Sequence, residues 1–169
     1  MVVLGIDPGL ERLGYSILEF SQNEIKPLSY GLICTPRILP KSQRLFQIYT
    51  DLQSLIEKNN PDYVSVETLI FAKNVKTALT ISEVRGIILL ISAQHRIPIY
   101  EFTPLEIKMS VTGYGRSSKS QIQNAVKLLL NLPEIPRPDD ISDSIAFAVC
   151  GGITIAFQRK IKPGAEFSG

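Results

Sequence analysis

The sequence predicts a mixed α/β fold: a five-stranded sheet carrying helices on its faces. Three observations predict it. Two short apolar runs, Val2-Val3-Leu4-Gly5-Ile6 and Tyr63-Val64-Ser65-Val66, each end on a carboxylate. Three extended stretches crowd into the first 34 residues with short connections, the pattern of an antiparallel meander. The later extended stretches alternate with segments of helical periodicity, which makes them crossover units with parallel neighbours.

The first strand covers Val2 to Ile6 and shows little alternation, so both of its faces are covered. Asp7 stands at its end, and Pro8-Gly9 stop the strand in a tight turn. Leu13 to Phe20 reads as a second strand and Ile25 to Cys34 as a third. Pro40 to Asn60 places Leu45, Ile48, Leu52, Leu55 and Ile56 at helical spacing, and Lys58 to Pro61 end the helix. Tyr63 to Glu67 is a fourth strand, again ending on a carboxylate. Thr68 to Asn74 is a loop. Val75 to His95 is a long helix whose Ile87 to Ile91 run is apolar on every side, the mark of a helix covered all round. Pro98 to Phe102 is a fifth strand. Thr103 to Ser120 combines a short helix with a Gly-rich basic loop, and Lys119 to Leu130 is another helix. After the proline-rich link Pro133 to Pro138, a last helix runs from Asp139 to about Phe157. The domain spans 1–158, and 159–169 form a flexible tail.

The bulk properties agree with one globular domain. The chain has 169 residues, 44% hydrophobic and 20% charged, with a net charge of +2. Its two cysteines, Cys34 and Cys150, and single histidine, His95, fit no zinc spacing. No signal peptide or membrane span is expected, and a reduced, cytoplasmic setting follows from the cysteine usage.

Four carboxylates stand out by position. Asp7 and Glu67 end strands that become neighbours if those strands pair in parallel, and ligands of open sheets gather beyond such strand ends. Asp140 and Asp143 open the last helix at i, i+3 and share a face. Asp139, at i, i+4 from Asp143, could share it equally, and spacing does not choose between them. The ordinary alternative is helix capping by solvated aspartates. Carboxylates brought together repel unless cations lie between them. An all-oxygen donor set selects Mg²⁺ or Mn²⁺, and two such ions clamp the attacking and leaving oxygens of a phosphodiester.

The motifs resemble those of the RuvC-type Holliday-junction resolvases, a branch of the RNase H-like nucleases, over nearly the whole chain. Leu4-Gly5-Ile6-Asp7-Pro8-Gly9 with Gly14-Tyr15 matches the first motif. Pro61-Asp62-Tyr63 through Glu67 matches the second. Phe71-Ala72-Lys73-Asn74, Ala78-Leu79 and Arg85-Gly86 are similar to the loop and helix that follow. Lys108, Gly113, Lys119-Ser120-Gln121 and Asp140-x-x-Asp143-x-Ile145-Ala146 complete the series. The resemblance implies an RNase H-like fold and catalytic, metal-binding Asp7, Glu67, Asp140 and Asp143, with Asp140 rather than Asp139 as the ligand. It implies a homodimer that cuts four-way DNA junctions in recombination and repair with two Mg²⁺ per site, or Mn²⁺ in their place. Cuts leave 5′-phosphate ends, and junction-binding and branch-migration helicases are the implied partners.

Ile70, Phe71, Lys73, Lys76, Lys108, Arg116 and Lys119 are the expected DNA contacts, Lys108 and Lys119 nearest the cut phosphate. The family carries an aromatic residue two positions before Ala-Lys-Asn; here that place holds Ile70, with Phe71 beside the alanine. Two other readings compete. One is an RNase H-like nuclease for another nucleic acid. The other is a nucleotide-binding module of the actin and sugar-kinase kind, which wants a second Asp-x-Gly loop and a longer chain.

Overall fold

In the computed structural model, which describes residues 1–22, 24–68 and 75–161, five strands form one sheet. They are β1 (Val2–Asp7), β2 (Arg12–Phe20), β3 (Ile25–Cys34), β4 (Tyr63–Glu67) and β5 (Ile99–Phe102), in the order β3-β2-β1-β4-β5. β1 pairs antiparallel with β2, which pairs antiparallel with β3. β1 pairs parallel with β4, which pairs parallel with β5. The meander and the crossover strands are therefore placed as expected. Helices α1 (Lys41–Asn59) and α2 (Val75–Gln94) cover one face, and α3 (Pro104–Thr112), α4 (Lys119–Leu129) and α5 (Asp139–Ile161) the other.

Strand alternation sorts the side chains between two cores. Leu4, Ile6, Leu13, Ile17, Val64 and Val66 join Ile48, Leu52, Ile56, Val84, Ile88 and Ile91 on the α1/α2 side. The alternate positions on β1, β2 and β4 face α5, and those under the first half of that helix are small. Gly5 lies so near α5 that a Cβ would collide with the Ser144 carbonyl oxygen and with Ala148. A Cβ on Gly14 would strike the Asp140 carbonyl. Ser16 Oγ donates to the Ser144 carbonyl at 2.9 Å, and Ser65 Oγ to the Phe147 carbonyl at 2.6 Å. Gly151 in turn leaves room for Ser65, and Gly152 for the Phe20 ring. Helix α5 thus lies in a trough of Gly5, Gly14, Ser16 and Ser65, and twelve of its residues are buried.

One expectation needs correction. The final helix runs to Ile161, past the expected end near Phe157. Its last turn is held: the Arg159 guanidinium donates to the Tyr63 hydroxyl at 2.9 Å and stacks over that ring. Helix α2 is covered by its own chain on one side only. Ile88 and Ile91 are buried, but Leu79, Leu89 and Leu90 are 57%, 49% and 54% exposed, because the sheet and α1 meet only one side. By length and composition both α5 and the 76–94 stretch could cross a membrane. For α5 that composition reflects its central place in the core.

The tight seat predicts that Gly5→Ala will destabilise the protein by roughly 1–3 kcal/mol through overpacking against helix backbone. Urea denaturation measures it, and an unchanged midpoint would show that α5 can shift without cost.

Candidate active site

The face that receives α5 also carries the acids. On β1 the residues facing α5 are Val3, Gly5 and, at the strand end, Asp7; on β4 they are Ser65 and Glu67. The β1–β4 register pairs Gly5 with Ser65 and Ile6 with Val66, so the two carboxylates leave the sheet side by side. Asp7 is also the cross-strand partner of Gly14, on which the Asp140 backbone rests. The first turn of α5 therefore comes down over the ends of β1, β2 and β4, and brings Asp143 with it.

Asp7, Glu67 and Asp143 line one cavity of about 240 Å³ together with Lys108, Lys119, Pro104, Ile107, Ile122, Ala146 and Phe147. Asp140 lies to its side, in an adjoining hollow that it shares with Arg12, Lys119, Arg137, Asp139 and Asp143. The electrostatics register how close these groups are. Burial, then the neighbouring Asp143, Asp140 and Glu67, push the Asp7 carboxyl up to about 7 from an ordinary 3.8. Glu67 is raised by burial and by Asp143. Asp143 is raised by burial, with Lys119 pulling the other way.

Two cations offset the acids. Lys119 Nζ donates to Asp143 Oδ2 at 2.9 Å and lies 3.2 Å from Asp139 Oδ2. Burial opposes charge on Lys119, but its bonds to Asp143 and Asp139 hold its pKa above the usual value. Arg12 Nε lies 3.3 Å from Asp140 Oδ2. Asp139 is exposed, also accepts from Gln123 Nε2 at 2.9 Å, and is held below the usual carboxylate range by Lys119 and Gln123.

Among the described residues no three acids close around a common point as a finished cage; lysine and arginine hold the charge instead. The donor set still fits a hard divalent cation. It is all oxygen and partly desolvated, and it sets several carboxyls close enough to raise one another's pKa.

Of the expected DNA contacts, Lys108 and Lys119 border the cavity. Lys76 is exposed at the start of α2 and lines a separate groove with Arg12, Arg44 and the Pro8–Arg12 turn. Arg116 is exposed between α3 and α4 and does not reach the acids' cavity. Ile70, Phe71 and Lys73 lie outside the described residues. Sequence reasoning missed Arg12 and Gln123, and it quoted Arg85 only as part of a motif, without its bond to the Glu67 carbonyl. It also missed the trough, although the small residues Gly5, Gly14, Ser16 and Ser65 at alternate strand positions were a readable sign of it.

An acidic edge on a mixed sheet of this topology defines an RNase H-like nuclease. Comparison with known proteins narrows the class. The profile of the family "Crossover junction endodeoxyribonuclease RuvC" matches residues 3–151. A crossover junction endodeoxyribonuclease RuvC from Halothermothrix orenii is 49% identical over 160 residues, 95% of this chain and 97% of that protein. One from Caldicellulosiruptor saccharolyticus is 52% identical over 151 residues, 89% of this chain and 91% of that protein. Among solved structures, Thermus thermophilus RuvC in complex with a Holliday junction substrate superposes with a TM-score of 0.89 at 25% identity, covering 94% of this chain and 96% of that one. The yeast mitochondrial resolvase Ydc2 shares the fold, with a TM-score of 0.62 at 14% identity over 94% of this chain and 83% of that one. The chain belongs to the RuvC family of crossover junction endodeoxyribonucleases. Nucleases of this family are metal-dependent in general.

The raised Asp7 pKa has a consequence for stability. Between about 4 and 7 the folded protein holds a proton that the unfolded chain has lost. Metal-free stability should therefore fall as pH rises through that window, and the full penalty should stand above it. Asp7→Asn should remove it, raising metal-free stability at about pH 8 by roughly 2–4 kcal/mol and flattening that slope. Denaturant unfolding across pH checks this; a variant no more stable than the parent at pH 8 would contradict it.

Proposed function

We propose that this endonuclease resolves four-way DNA junctions by symmetric paired nicks, through hydrolysis that depends on two Mg²⁺, or Mn²⁺ in their place, and leaves 5′-phosphate ends. The observation that carries the reading is the meeting of Asp7, Glu67 and Asp143 in one cavity whose wall also holds Lys108 and Lys119. The family membership and the junction-bound Thermus thermophilus relative support the substrate.

Asp7, Glu67 and Asp143 would hold the ions, with Asp140 contributing from the side. When bound, the ions supply positive charge at the attacking and leaving oxygens of the phosphodiester. With ions bound, Asp7 would carry a full negative charge. Lys119, paired with Asp143 and Asp139 in the metal-free site, would keep its ammonium at the cavity rim to meet a phosphate. Lys108 offers a second positive charge from α3. Lys76, and Lys73 on sequence grounds, hold the strand further out. Arg116 has the same outer role. Ile70 and Phe71 are proposed from sequence alone to wedge into the opened centre of the junction.

Paired nicks need two sites, and among the described residues one chain supplies a single acidic cluster. A homodimer through the exposed face of α2 follows, with Leu79, Leu89 and Leu90 forming its apolar seam. Branch-migration helicases as partners rest on the resemblance to the RuvC family, and a cytoplasmic setting on the cysteine usage.

Asp7→Asn, Glu67→Gln, Asp140→Asn and Asp143→Asn should each abolish cutting of a synthetic junction while leaving gel-shift binding intact; Asp139→Asn should be far milder. The reverse order for Asp139 and Asp140 would overturn the ligand assignment. Leu90→Glu should give monomers that fail to make paired nicks in a cruciform plasmid. Ile91 is unsuited to that test because its side chain is wholly buried. A parent protein that light scattering finds monomeric at 18.8 kDa, yet that cuts symmetrically, would defeat the dimer.

A further inference from the structure

Glu67 stands where the sheet gives out. The parallel ladder with β1 stops at Ile6↔Val66, and the ladder with β5 stops at Glu67↔Phe102. The next residue, Thr68, still donates its N–H to the Phe102 carbonyl at 2.8 Å. Beyond Val66 the β1 ladder no longer holds β4, and a frayed strand end would let the carboxylate swing. A side chain from another layer meets that need. Arg85, on α2, donates from Nη1 to the Glu67 carbonyl at 2.6 Å. Its Nη2 lies 2.7 Å from Glu101 Oε1 on β5, and Glu101 is the ladder partner of Val66. The Arg85 side chain is only 11% exposed. A guanidinium so buried is retained where both arms are bonded, and its planar fork fixes two acceptors at once in a way a lysine cannot.

We infer that Arg85 is a positioning residue for the active site: it clamps the end of β4 from the face opposite the acids and so fixes the direction in which Glu67 presents its carboxylate. The clamp joins three elements. Helix α2 supplies the guanidinium, β4 the main-chain acceptor, and β5 the carboxylate that orients the guanidinium. Arg85 touches neither substrate nor ion; it acts through the Glu67 backbone. Groups that orient a ligand in this way commonly govern its affinity for metal about as strongly as they govern rate. The inference rests on the assignment of Glu67 as a metal ligand.

The test uses the full chain and Mn²⁺ alone as the probe. Arg85→Gln should lower Mn²⁺ affinity in a calorimetric titration by roughly 10-fold and single-turnover junction cleavage by roughly 10- to 100-fold. Junction binding in Ca²⁺ should stay within about twofold of the parent, since the wall that meets DNA is untouched. Raised Mn²⁺ should recover part of the lost rate, and Arg85→Lys, which keeps the charge but lacks the rigid planar fork, should fall between. Val84→Ala is the control for loss of stability: it trims a buried neighbour on α2 that belongs to the core. It should lower the melting temperature without changing Mn²⁺ affinity. Parent-like Mn²⁺ affinity in Arg85→Gln, or an equal loss in Val84→Ala, would overturn the clamp. Glu67→Gln run beside them separates the two claims. If it keeps full Mn²⁺ affinity, the ligand assignment itself fails. If it loses affinity and Arg85→Gln does not, only the clamp fails.

Discussion

The close docking of α5 on β1, β2 and β4 is the contact on which the rest of the site depends. A helix ordinarily stands off a sheet by the thickness of two side-chain layers. Here Gly5 and Gly14 remove one layer, and the Ser16 and Ser65 hydroxyls bond helix carbonyls directly. The approach is close enough for the first turn of α5 to reach the strand ends. Asp140 rests on Gly14, one ladder step across from Asp7. Asp143, one turn further on, enters the cavity of Asp7 and Glu67. Larger residues in the trough would lift the helix and carry its two aspartates away from the sheet's two acids.

That closeness has an electrostatic cost, visible as the upward push on Asp7, Glu67 and Asp143. The chain meets it without metal by bringing Lys119 to Asp143 and Asp139, and Arg12 to Asp140. These pairs are partly exposed and each contributes little to stability. Their weakness suits a site whose carboxylates must be released to other cations. Asp139 and Asp140 thereby acquire different characters despite adjacent positions. Asp139 faces solvent and binds a lysine and a glutamine, whereas Asp140 turns inward over Gly14 and adds to the field at Asp7.

Much of this was legible before any coordinates. The apolar runs ending on Asp7 and Glu67, the meander, and the i, i+3 pair of aspartates are local signals, set by alternation, turn residues and helix periodicity. The parallel pairing of β1 with β4 followed from one crossover helix. What could not be read were relations between distant segments. Spacing alone left Asp139 and Asp140 equivalent; what separates their surroundings is Gly14, far away in sequence, against which the Asp140 backbone lies. Nothing in the sequence gave Arg12 a partner, and Arg85 stood there only as part of a motif, until the fold gave them Asp140, the Glu67 carbonyl and Glu101 as partners. The Ile87 to Ile91 run was read as covered on one face by the sheet and on the other by something else; its own chain buries Ile88 and Ile91 and partly covers Ile87, while Leu89 and Leu90 stay exposed. Composition records how apolar a helix is without recording whose surface meets it.

The seat of α5 is proposed to build a metal site from Asp7, Glu67 and Asp143, with Asp140 beside them. Anomalous diffraction from crystals grown with Mn²⁺ reads that site without intermediary. Anomalous density should lie on carboxylate oxygens of Asp7, Glu67 and Asp143, with Lys119 Nζ displaced from Asp143 and Asp139 left without metal. Density at Asp139, or none at Asp7 while Lys119 keeps its bond to Asp143 at saturating Mn²⁺, would contradict it.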